Sequence, residues 1–170
     1  MGQKGAQQGK DDAVQKITPF LWFDSQAEEA ARFYVSVFRN SRITTIARYG
    51  EAGPGPAGSV MTIGFELDGV QFTALNGGPH LFINGGISFV VHCDSQAEVD
   101  DYWDKLTGDG GEPGQCAWLK DRFGVSWQIV PDVLMTLLTD PDKAKAQRVM
   151  QAMLQMTKID IAALERAAAG

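Results

Sequence analysis

Five residues, Asp24-Ser25-Gln26-Ala27-Glu28, recur unchanged as Asp94-Ser95-Gln96-Ala97-Glu98, 70 positions further along the chain. An exact internal repeat restricts the chain to two copies of one supersecondary unit. The flanks agree in character: the apolar run at 17–23 aligns with that at 87–93, and Phe33 aligns with Trp103. Each copy reads as strand, cap, helix. Ser25 with Glu28, and Ser95 with Glu98, have the S-x-x-E spacing that satisfies the free amides opening a helix. Beyond the caps, Ala27, Ala30, Tyr34, Val37 and Phe38 share one helical face, as do Val99, Tyr102, Trp103 and Leu106.

Short β-rich runs follow each helix: 43–49, 60–67 and 70–75 in the first half, 115–120 and 125–130 in the second. Asp68-Gly69 is a hairpin signal. Both halves therefore share the order βαβββ, an α+β class. One helix leaves a sheet's other face uncovered, so two halves are expected to curl as a mixed sheet around a central cavity, the default binding site. Residues 51–58 (EAGPGPAG) and 76–86 (NGGPHLFINGG) are expected as rim loops. The boundaries expected are a disordered extension over 1–15 and a paired-module domain over 16–135, with modules at about 17–76 and 87–131. A C-terminal helical extension over 136–170 completes the chain. Within it, Asp140-Pro141 reads as a helix start, Asp160 as a second cap, and Ala146, Val149, Met150, Met153 and Met156 as one stripe.

The 170 residues suit a single domain, and 44% hydrophobic with 21% charged residues is a globular composition. The net charge of −6 disperses its cations among acids, which excludes nucleic acid as an expected partner. The first fifteen residues lack an apolar h-region and no long apolar run occurs, so neither a secretion signal nor a membrane partner is expected, and the location expected is cytoplasmic. Cys93 and Cys116 cannot form a disulfide framework and read as reduced core residues. His80 and His92 are the two histidines, too few for a three-histidine metal site.

The strings ITPFLWFD, AARFYVSVF, ALNGGP, ISFVVHCDSQAEVDDYWDKL, GQCAWLKDRFGVSWQIVP and RVMQAMLQMTKIDIAALE resemble the PhnB-like branch of the vicinal oxygen chelate superfamily. That branch is also labelled 3-demethylubiquinone-9 3-methyltransferase-like, and the likeness spans residues 17–166. The resemblance implies paired βαβββ modules, and it carries the superfamily's metal-ligand positions onto Ile17, Thr73, Ile87 and Gln128. Two isoleucines and a threonine are not donors for a divalent transition ion, so neither a metal nor another cofactor is expected. Methyl transfer is implied by the label alone. Neither glycine cluster lies in the strand-to-helix turn that a doubly wound donor site needs.

Strand alternation is expected to aim Ile17, Pro19, Leu21 and Phe23 from one module, and Ile87, Phe89, Val91 and Cys93 from the other, into the hollow, with Thr73, Ser126 and Gln128 as polar points. The predicted ligand pocket is Ile17, Leu21, Phe23, Thr73, Ile87, Phe89, Trp118 and Gln128, suited to a small apolar or aromatic molecule. Trp118 is a pocket wall or a core residue, and Trp22 falls on the first helix's side. Gln128 must find partners in a ligand, in water or in Thr73. His92 reads as structural on the helix side, Asn76 as a turn residue, and Asp24 and Asp94 as caps, so no catalytic residue is assigned. The methionine stripe and the habits of the superfamily lead to an expected homodimer.

Overall fold

The computed structural model describes residues 15–170. The disordered extension expected over residues 1–15 lies outside the described residues apart from Gln15. The Gln15 amide donates to the carbonyls of Ile17 and Gln71 and accepts from the Gln71 N–H, which fixes the entry of the chain.

Both modules have the order read from the repeat. Module 1 runs β1 (Phe20–Phe23), α1 (Ala27–Val37), β2 (Arg42–Arg48), β3 (Val60–Leu67) and β4 (Val70–Asn76). Module 2 runs β5 (Ser88–Cys93), α2 (Gln96–Thr107), β6 (Glu112–Pro113), β7 (Trp118–Lys120) and β8 (Ser126–Pro131). They form two separate four-stranded mixed sheets, β1-β4-β3-β2 and β5-β8-β7-β6, in which the first strand of each module lies parallel to its last. Asp68 and Gly69 turn the β3–β4 hairpin with φ of 45° and 85°, the left-handed pair a tight two-residue turn requires. The strand expected from residue 115 begins only at Trp118, because Cys116 and Ala117 have φ of 53° and 74° and bend the chain out of extended geometry.

The two caps differ, against expectation. In module 2 the Ser95 hydroxyl accepts from the Glu98 N–H, while the Glu98 carboxylate reaches back to the Asp94 N–H. In module 1 the Ala27 N–H donates instead to Asn76 Oδ1 at 2.8 Å, and Glu28 turns away to Arg32. Asn76 is thus a cap supplied by another strand rather than a turn residue, and its Nδ2 also donates to the Val60 carbonyl.

Helices α1 and α2 lie in the shared core. Leu21, Phe23, Ile63, Phe65, Phe72 and Ala74 on the inner face of the first sheet join Cys93, Leu119, Trp127 and Ile129 on the inner face of the second. Tyr34 of α1 touches both: its ring lies 6.1 Å from Phe65 and 5.4 Å from Trp127. Asp121, in the β7–β8 turn, is 2% exposed and accepts four hydrogen bonds, from Tyr34 Oη, Trp127 Nε1 and the Phe123 and Val125 amides. It joins the modules covalently distant in the chain.

Helices α3 (Asp132–Leu138), α4 (Lys143–Met153) and α5 (Ile161–Ala169) close a second, smaller core around Val130, Ala117, Leu134, Val149, Ile159 and Leu164. Helix α4 is capped by Asp142 rather than Asp140, whose carboxylate holds the Asp142 N–H and Lys145. Asp160 caps α5 as expected. Among the described residues no helix is long and apolar enough to cross a membrane.

Candidate functional site: the cavity between the modules

Strands β1 and β5 are each the outer strand of their sheet, and the linker between the modules runs beside both. A cavity of about 500 Å³ opens there, lined by residues 17–22 of module 1, by Leu81, Phe82, Ile83, Asn84 and Ile87 of the linker, and by Phe89 and Val125 of module 2. Among the described residues, no charged side chain lines it. Its polar side chains are Thr18, Trp22 and Asn84. The Trp22 indole N–H is committed to the Gly78 carbonyl at 2.9 Å, and Asn84 Oδ1 to the Gly86 N–H at 2.8 Å. Among the described residues, the Thr18 hydroxyl and the Asn84 Nδ2 donor have no hydrogen-bond partner.

This cavity gathers four of the eight predicted pocket residues, Ile17, Leu21, Ile87 and Phe89. The other four lie elsewhere. Phe23 is buried in the core, edge-on to Phe123. Thr73 is on the outer face of the first sheet, in register with Phe20, while Gln128 and Trp118 form a row with Val90 on the outer face of the second. Gln128 donates to Ser88 Oγ at 2.9 Å, within its own sheet, and not to Thr73.

The phase of strand alternation differs from expectation. Leu21 and Phe23 turn towards α1, and Trp22 takes the other face, where Gly77 sits so close beneath its ring that an added Cβ would lie 2.2 Å from it. In β5, Phe89, Val91 and Cys93 face the core and His92 faces out, 3.0 Å from the Asp132 carboxylate. Cys93 is a buried structural thiol whose pKa burial pushes up to about 12.

The four positions that correspond to the superfamily's metal ligands do not make a donor set. Ile17 and Ile87 border the cavity, Thr73 and Gln128 lie on the outer faces of different sheets, and two of the four side chains are hydrocarbon. Among the described residues, no three His, Cys, Asp or Glu side chains are grouped to hold an ion. A chelated divalent metal does not fit these residues.

Sequence reasoning missed the linker side chains Leu81 and Phe82, and the role of Asp121. The Leu-Phe-Ile run at 81–83 is an apolar triplet inside a Gly/Asn-rich linker, and that contrast is a usable signal. For Asp121 a lone acid in a D-x-x-G turn gives none.

Paired βαβββ modules with C-terminal helices define a protein of the vicinal oxygen chelate fold. Residues 15–130 match the family described as 3-demethylubiquinone-9 3-methyltransferase, and the chain belongs to that PhnB-like family. The PhnB protein of Bacillus cereus is 36% identical, with a TM-score of 0.63, over 69% of this chain and 99% of its own. Protein PA1353 of Pseudomonas aeruginosa is 23% identical, with a TM-score of 0.57, over 69% of this chain and 97% of its own. The fosfomycin resistance protein FosX of Listeria monocytogenes, complexed with Mn(II) and sulfate, shares the fold at 13% identity and a TM-score of 0.50, over 69% of this chain and 90% of its own. A comparison with curated proteins gives no match.

Proposed function

We propose that the chain binds a small, neutral, largely apolar or aromatic molecule in the cavity between its modules, without a metal ion. The observation that carries this reading is the lining: about 500 Å³ bounded by apolar side chains, with no formal charge among the described residues and with the Thr18 hydroxyl and the Asn84 NH2 uncommitted among them. That volume is within the range of roughly 300 to 1,000 Å³ usual for small-molecule sites. A charged ligand would lose hydration there without gaining a counter-charge. A metabolite screen by thermal shift tests the reading, because a ligand of the folded state raises the melting point by mass action. A neutral aromatic hit that loses its shift in Ile87→Trp, which fills the cavity from an exposed wall, is the expected result. A hit indifferent to that substitution, or stoichiometric metal in protein purified without chelators, overturns it.

Methyl transfer, the activity in the family's description, is the alternative. S-adenosylmethionine carries an ammonium, a carboxylate and a sulfonium, and the described lining offers none of them an opposite charge. Saturable heat on titration with that donor would reverse the order of the two readings.

We also propose a homodimer. Among the described residues neither β1 nor β5 has a strand on its second edge, and Ile17, Phe20, Phe82, Ile87 and Val90 leave apolar surface exposed around them. An unpaired apolar strand edge is a ready template for association. The methionine stripe lends less support, since Val149, Met153 and Met156 are used inside the C-terminal core and Met150 remains exposed. Light scattering at micromolar concentration is expected to give twice the chain mass; the monomer mass removes the proposal. The free thiols of Cys93 and Cys116 support a reducing, cytoplasmic location.

A further inference from the structure

The repeated pentapeptide performs different work in its two copies. In module 2, Ser95 and Glu98 are occupied in capping α2. In module 1, Asn76 takes over that duty for α1 and Glu28 is bound by Arg32, so the Asp24 and Ser25 side chains have no hydrogen-bond partner among the described residues. Both border a cavity of about 440 Å³ at the end of module 1, together with His80, whose ring lies against Gly78 and is likewise unbonded. Its two rims are the loops singled out in the sequence, 51–58 and 76–80.

The rims are fixed in place. Gly55 lies against Tyr49 so closely that a Cβ would be 2.4 Å from the ring, and Gly77 is pressed beneath Trp22. The Tyr49 hydroxyl donates to the Asn76 carbonyl and ties one rim to the other. A hollow built this way exists before any ligand arrives, which lowers the ordering cost of binding. Among the described residues, Asp24 is the one carboxylate in its lining and no lysine or arginine lines it.

We propose that this hollow is a second binding site, for a small organic amine that also carries a hydroxyl group. The ammonium would sit on Asp24 through a charge-assisted hydrogen bond. The Ser25 hydroxyl and the His80 ring offer the donor and acceptor for the neighbouring hydroxyl. The site is separate from the cavity between the modules and its test does not depend on that reading.

Ethanolamine is the probe, followed by amide chemical shifts in the full chain, with ethanol and acetate as comparators. The expected result is a saturable shift confined to Ser25, Gly77, Gly78 and their neighbours. Asp24→Asn should weaken it by about tenfold, as loss of a charge-assisted bond implies, and Ser25→Ala by less. Since neither side chain bonds to protein, both variants should keep the remaining spectrum unchanged, so a fold defect would be visible separately. A linear, unsaturated response at about 50 mM, where fragment-sized ligands of millimolar affinity register, overturns the proposal. So does an equal response to ethanol, or an Asp24→Asn variant that binds as the parent does.

Discussion

Asp121→Asn removes one charge and almost no volume, and it strikes the joint between the modules. Four donors converge on the carboxylate: the Phe123 and Val125 amides on Oδ1 at 2.8 and 3.1 Å, and Tyr34 Oη and Trp127 Nε1 on Oδ2 at 2.9 and 2.8 Å. A carboxylate accepts at both oxygens, whereas an amide accepts at one. With the asparagine oxygen kept on the two backbone amides, its NH2 group faces the Tyr34 hydroxyl and the Trp127 indole. The hydroxyl can rotate and accept. The indole N–H cannot, and it becomes an orphaned donor in a residue only 3% exposed.

An unsatisfied buried donor costs about 1 to 3 kcal/mol, and exchanging charged for neutral hydrogen bonds adds roughly 1 more. A loss of about 2 to 4 kcal/mol follows, a large share of the roughly 5 to 15 kcal/mol by which domains are stable. Urea unfolding followed by tryptophan fluorescence measures it, since Trp103 and Trp127 are both buried in the shared core. Tyr34→Phe alone should cost about 1 kcal/mol, and the double variant less than the sum, because the two side chains share one bond. A loss below about 1 kcal/mol in Asp121→Asn, or strict additivity with Tyr34→Phe, would refute the account of Asp121 as a four-donor clamp.

Three further outcomes are expected. Burial, and next the Asp121 charge, raise the Tyr34 pKa well above its ordinary 10.0. The folded state therefore holds that proton more tightly, and its contribution to stability, present below pH 10, should fall above it by up to about 1.4 kcal/mol per pH unit; Tyr34→Phe removes that contribution in alkaline urea titrations and leaves the shares of Cys93 and Tyr102, which burial also raises. Ser95→Ala should cost about 1 kcal/mol in urea unfolding while Ser25→Ala stays within a few tenths, since only the first removes a helix cap. Gly77→Ala should cost about 1 to 3 kcal/mol and shift the Trp22 emission, because its Cβ would fall 2.2 Å from the indole.

Most of the fold was legible because the repeat set the module boundary and the turn residues set the strand ends. Asp68-Gly69 marked its hairpin within a residue, and Asp160 marked its cap. What failed was phase. Phe20-Leu21-Trp22-Phe23 are all apolar, and Phe89, Val90 and Val91 nearly repeat the pattern, so a period of two has no polar residue to anchor it. A one-residue error exchanges every side chain between faces. That error sent Phe23 into the predicted hollow and Trp22 against the helix, the reverse of their positions, while Leu21, packed in the core, still borders the cavity. Ile17 and Ile87 escaped it because both precede their strands, where chain direction rather than pleat aims the side chain.

The same phase decides where a ligand can go. With α1 and α2 inside, the two inner sheet faces meet across Tyr34 and across the Phe72–Phe89 ring contact at 5.1 Å. The uncharged cavity lies to one side of that contact, at the seam between β1, the linker and β5. The outer faces, which hold Thr73 and Gln128, point away from the shared core and so from each other. Two such faces form one hollow only if they come from different chains. The free edges of β1 and β5 lie beside those faces, so if the proposed dimer forms through them, the cavity and the outer faces become parts of one composite site. Substituting Val90 with lysine, on the exposed edge strand, should then yield monomers by light scattering and abolish binding of the thermal-shift hit together. Loss of one without the other would separate the cavity from the assembly.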